Sequence, residues 1–146
     1  MTWVEMTIDS VRRNLMSDYW TVILKERNAE RYLPICVGPA QADIIKGELV
    51  GPTKSPAPDL FLAGINASDS KVECAAITHL EDNIFYARLS LSRQAESYEV
   101  NCPTAMALAL AARGADPPIF VDAEILDKAA LTLTWQTGTR GTSRFA

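Results

Sequence analysis

The 146-residue sequence holds a single histidine and three cysteines, carries no excess of positive charge, and contains no apolar run near the ~18 residues a membrane-spanning helix needs. Each shortage excludes something. One histidine, His79, rules out a histidine-rich metal site. Cys36, Cys74 and Cys102 are odd in number, widely spaced and set among apolar residues. That pattern points to buried reduced thiols rather than to a disulfide framework or a zinc site. With 14 basic against 18 acidic side chains the formal charge is −4, so the chain lacks the positive field that sequence-independent nucleic-acid binding relies on. The N-terminal stretch MTWVEMTIDSVRRNL has no basic segment leading into an apolar one, so the expected address is the cytoplasm, with no membrane partner. Asn66-Ala67-Ser68 matches a glycosylation sequon, which has no consequence without a secretory signal.

What is present is the composition of a globular domain: 48% apolar and 22% charged residues, with no repeat or low-complexity tract. A chain of this length buries roughly two-thirds of its unfolded surface in one core. Residues 1–130 read as one domain. Residues 131–146 read as a C-terminal extension that frays from Gln136 onward and carries Arg140 and Arg144 but no acid.

Period-two alternation through Val4, Met6 and Ile8, then Trp20, Val22 and Leu24, then Leu33, Ile35 and Val37, predicts three strands. The short charged link around Arg27 to Glu30 makes the second and third an antiparallel hairpin. Gly38-Pro39 ends that unit. Ala42, Ile45 and Leu49 then mark an amphipathic helix over 39–49, stopped by Gly51-Pro52. Thr53 to Pro58 is a proline loop, and Asp59 is placed to cap a second helix through Leu60, Phe61, Ala63 and Ile65. Lys71 to Leu80 and Ile84 to Ser92 predict a second hairpin, with Tyr86, Arg88 and Ser90 on one side of its second strand. Ser97 to Asn101 adds a short strand. Pro103 suits the first turn of a helix that has no polar face from Ala105 to Ala112 and stops at Gly114. Pro117 to Val121 is a brief strand, and Asp122 caps a last helix ending near Lys128. Hairpins interleaved with helices predict an α+β fold: a mixed, largely antiparallel sheet with three to four packed helices.

Three stretches, in this order, resemble the bifunctional nuclease domain family over roughly residues 4–128. They are Leu33-Pro34-Ile35-x-Val37-Gly38 followed by Gln41-Ala42, the strand Asn83-Ile84-Phe85-Tyr86-Ala87, and the helix from Ala105 to Leu110 ahead of Pro118-Ile119. The resemblance implies a compact α+β domain that self-associates. It also implies, as for some members of the family, nuclease activity on DNA and RNA. The departures lie in the charged motifs. Where the family carries Arg-Pro and then Thr-His-Asp, Ser55-Pro56-Ala57-Pro58-Asp59 keeps the proline and the aspartate. Where it carries an aspartate and then Arg-Pro-Ser-Asp, this chain has Asn101-Cys102-Pro103-Thr104, and the usual acid of the first helix is Gln41.

Phosphodiester hydrolysis needs charge stabilisation at phosphorus and a base or oriented water. The candidates that the resemblance leaves are Asp59, as metal or water ligand, and Asn101 and Thr104, positioning phosphate. Capping the apolar helix is the favoured role for Asn101 and Thr104, since a helix end needs polar caps in any fold whereas anion binding needs an open surface. Two functions follow. One is a bifunctional-nuclease-like protein that is weakly active or catalytically degenerate and works as a self-associating binding module, a dimer or larger, without a cofactor. The other is a nuclease that uses a divalent metal such as Mg2+ and takes nucleic acid as its partner. A third reading, nucleic-acid binding without catalysis, rests on Arg12-Arg13, on Lys25, Arg27 and Arg31, and on the basic tail with Trp135.

Overall fold

The computed structural model describes residues 2–46, 57–113 and 117–132. Among the described residues, eight strands and four helices follow one another as β1 (Trp3–Arg13), β2 (Trp20–Glu26), β3 (Arg31–Val37), α1 (Pro39–Lys46), α2 (Ala57–Ala67), β4 (Ser70–Glu81), β5 (Ile84–Arg93), β6 (Glu96–Pro103), α3 (Thr104–Arg113), β7 (Ile119–Asp122), α4 (Ala123–Ala129) and β8 (Leu131–Thr132). They form one sheet in the order β6-β5-β4-β7-β1-β2-β3-β8. Every described pairing is antiparallel except β4 with β7, so the sheet is mixed and mostly antiparallel, as the patterning predicts. The sheet dominates the described residues, in which the helices span only 7 to 11 residues each.

Local chemistry accounts for the connections. Asp82 and Asn83 both take positive φ (53° and 63°), the conformation of a two-residue hairpin loop whose twist matches its strands. Gln94 (φ 56°) opens the next turn, between β5 and β6. Gly38 precedes α1 and its carbonyl accepts from the Ala42 N–H at 3.0 Å, while the Gln41 side chain folds back over it. Asp122 caps α4 as expected, its carboxylate accepting from the Glu124 N–H at 3.2 Å.

The core lies between the sheet and α3. Ala107 to Ala111 are buried in succession, more than a full helical turn, so α3 is enclosed on every side, as its all-apolar sequence requires. It packs on β4, β5 and β6, with α1 and α2 against it. Leu108 and Leu110, on opposite sides of α3, belong to one buried cluster with Met6, Leu24, Leu33, Ile77, Leu89 and Val121, each at most 2% exposed. Each such side chain contributes about 1.5–3 kcal/mol of burial.

Four expectations change. Strand β1 continues past Ile8 to Arg13, since β2 pairs with it as far as Arg13 opposite Trp20, beyond a bulge after Ile8. Pro103 is the last residue of β6, opposite Tyr86, and not part of the helix. Asp59 falls inside the first turn of α2, which begins at Ala57, so it is not the residue before the helix. Cys36 is exposed, and Cys74 and Cys102 only half-buried; all three are free thiols. The expected helix end at Leu49, the loop up to Pro56, the stop at Gly114 and the tail from residue 133 lie outside the described residues.

Candidate functional site

Strand β6 runs straight into α3, and the junction opens onto a groove of about 1060 Å³. One wall is the β4–β5–β6 surface, with His79, Glu81, Tyr86, Arg88 and Asn101. The floor is Cys102 to Ala105, and the opposite wall is Pro34 to Cys36 of β3. Four strands separate β3 from β5, which at ~4.8 Å per strand would hold them about 24 Å apart in a flat sheet. The sheet therefore curls, helped by two bulges in β4, after Val72 and after Ile77.

Register places the polar side chains. Directly opposed residues share a face, so Arg88 and Asn101 lie side by side, as do His79, Tyr86 and Pro103. Arg88 Nη1 reaches Glu99 Oε2 at 3.2 Å on the same face, which satisfies part of the guanidinium. Thr78 sits buried beside the second bulge. Its hydroxyl donates to the Tyr86 carbonyl at 3.3 Å and contacts His79 Nδ1 at 2.9 Å. The His79 ring is thereby anchored through Nδ1, and its Nε2 edge makes no hydrogen bond among the described residues.

Thr104 is buried, and its hydroxyl donates to the Phe85 carbonyl at 2.8 Å. That bond ties β5 to the start of α3. Asn101 is exposed on the wall beside Arg88. Burial raises the Cys102 thiol pKa above its ordinary value, which keeps it protonated.

The structure thus brings Asn101 and Thr104 together. Asp59 lies on α2, which packs on α3 and β4; its side chain is outside the described residues, and no described residue of α2 lines the groove. His79, which was not among the sequence candidates, stands on the same wall as Asn101. So do Tyr86 and Arg88, which sequence reasoning left out. Hairpin turns centred on residues 82–83 and 94–95 carry that information, because they fix the register that sets Arg88 opposite Asn101.

Among the described residues no cluster of three or more His, Cys, Asp or Glu is arranged to hold a metal ion. The basic residues Lys25, Arg27 and Arg31 each face carboxylates: Glu30 at 4.0 Å, Glu5 at 3.1 Å, and Glu26 and Asp127 at 2.9 and 3.2 Å. No described helix is long and apolar enough to cross a membrane.

Residues 22–134 match the family model described as the bifunctional nuclease domain. Two curated relatives, each an uncharacterized protein from a strain of Mycobacterium tuberculosis, are 28% identical over 131 residues, covering 88% of this chain and 77% of the relative. The match to the family model begins within β2, so β1 and its turn precede it.

Proposed function

Taking as premise that the chain belongs to the bifunctional nuclease domain family, we propose that it is a catalytically degenerate, self-associating binding module whose ligand sits in the groove at the β6–α3 junction. The observation that carries this reading is the make-up of the groove. Its ionisable lining comprises Glu81, His79, Arg88, Tyr86 and two thiols, with Arg88 already engaged by Glu99. Such a wall suits recognition: an exposed phenol for stacking, a guanidinium, and the exposed amides of Asn83 and Asn101. Phosphodiester hydrolysis asks for more, namely carboxylates converging on a cation, and among the described residues Glu81 is the one carboxylate on the wall.

The test is incubation of the full chain with labelled single-stranded DNA and RNA in Mg2+ or Mn2+, together with sedimentation. Absence of cleavage and a stable dimer or larger assembly are expected. Metal-dependent cleavage abolished by Asp59→Ala overturns the degenerate reading, and a strictly monomeric protein at high concentration overturns self-association.

One observation favours the hydrolase alternative. His79, anchored through Nδ1 by Thr78, lines a groove that also contains Arg88 and Asn101, so an imidazole and a guanidinium share one wall. Under this reading His79 accepts a proton from water, Arg88 and Asn101 hold the phosphate, and a divalent cation ligated by Asp59 would supply further charge stabilisation. Cleavage lost in both His79→Ala and Asp59→Ala would establish it.

A further inference from the structure

The β1–β2 connection has features that the groove leaves unexplained. Leu15 and Met16 stand 86% and 89% exposed, with Tyr19 at 56%. The turn is internally satisfied: the Asn14 N–H donates to the Tyr19 carbonyl at 3.1 Å, the Met16 N–H to Asn14 Oδ1 at 2.9 Å, and the Tyr19 N–H to Ser17 Oγ at 3.2 Å. It therefore holds its shape without the apolar pair, which gains nothing by standing in water. Beside it Arg12 and Arg13 are exposed, and among the described residues neither makes an ion pair; Arg12 Nε donates to Ser10 Oγ. Counting Asp18, the tip is net positive on a chain of formal charge −4.

Strand β6 offers the complement. It is the edge of the sheet, and Glu96 to Asn101 are all exposed. Alternation puts Glu96, Tyr98 and Val100 on one side and Glu99 and Asn101 on the other. Tyr98 and Val100 are 48% and 38% exposed although they stand opposite Leu91 and Leu89, so they form an uncovered rim of the core face. The Glu96 carboxylate accepts from the Tyr98 hydroxyl, Arg93 lies opposite Glu96, and Glu99 pairs with Arg88.

We propose that the β1–β2 tip seats on the β6 edge of a second copy of this chain, Leu15 and Met16 covering Tyr98 and Val100 while Arg12 and Arg13 face Glu96 and Glu99. This rests on the self-association reading above and names its contact. Charge complementarity selects the occupant, since the tip is cationic and Glu96 on the edge strand makes no ion pair among the described residues, while Glu99 is shared with Arg88. Each copy carries both halves, so a two-fold dimer makes the contact twice. That doubling helps a small tip approach the ~800 Å² per partner that stable association requires.

Sedimentation of the full chain decides it, with Arg12→Glu/Arg13→Glu, Glu96→Lys/Glu99→Lys, and all four changes combined. Either double variant is expected to weaken association at least about 30-fold, and the combination to restore most of it. Glu96→Lys alone, which spares the Arg88–Glu99 pair, should weaken it severalfold, and unchanged thermal melts certify that the variants fold. A wild-type assembly indifferent to the tip charges sinks the inference and leaves self-association standing. A monomeric wild type sinks both. Dissociation without rescue in the combined variant rejects β6 as the docking edge.

Discussion

Strand β6 and helix α3 are consecutive in the chain and meet at Pro103–Thr104, yet they stand at opposite extremes. Six residues in a row, Glu96 to Asn101, are exposed on β6, and five in a row, Ala107 to Ala111, are buried on α3. An apolar side chain has different work in the two. On α3 it fills the space between helices and sheet; on β6 it faces water and is free to meet a partner. The groove opens where one regime passes into the other, which is why its walls mix backbone-anchored residues such as Thr104 with solvent-facing ones such as Asn101.

The contrast can be broken most forcefully by exchanging sizes. Leu108→Ala, at a position with no exposure, should cost about 2–5 kcal/mol in urea-unfolding experiments. Val100→Ala, three residues before the junction, should stay within ~0.5 kcal/mol at concentrations dilute enough to keep the chain monomeric. Equal losses at both positions would mean that β6 is covered in the isolated protein. Next in size, Thr104→Val removes the hydroxyl that holds Phe85 and should cost about 1 kcal/mol, read as a thermal shift of a few degrees. If stability is untouched, the tether between edge and helix is not energetic.

Two smaller effects probe groups by titration. A thiol reagent should label Cys36 first. Cys102 should follow slowly, because burial raises its pKa and starves the reaction of thiolate; faster labelling of Cys102 would contradict the half-buried floor of the groove. Ultraviolet titration should find the Tyr32 phenol ionising last, pushed up to about 12 by its hydrogen bond to the Glu30 carboxylate and by burial. Its folded pKa lies above the ordinary value of 10.0, so the stabilisation is fully present below pH 10 and is lost as pH rises through about 12. Glu30→Gln should bring the titration down, and an unmoved titration would assign the shift elsewhere.

Period-two patterning exposed both hairpins, and the absence of a polar face located α3, because burial on all sides leaves its mark in every residue of the helix. Asp122 was equally readable, a cap being a local event. Long-range pairing was not. Nothing local to residues 119–122 says that they enter between β4 and β1, parallel to one and antiparallel to the other. The site suffered in the same way. Thr104 looked like a cap because its distant acceptor, the Phe85 carbonyl, is invisible in a linear reading. His79 was not among the candidates, because the bulge beside Thr78 and the curl of the sheet, which bring it to the groove, are properties of the assembled sheet.

The late arrival of β7 has a consequence for biosynthesis. As the chain leaves the ribosome, the β1–β2–β3 meander and the β4–β5–β6 meander can each pair internally, but the facing borders of β1 and β4 wait for residues 119–122 to emerge. Until then the nascent polypeptide displays two sticky seams. Its safety rests on how quickly translation of a short C-terminal segment closes them.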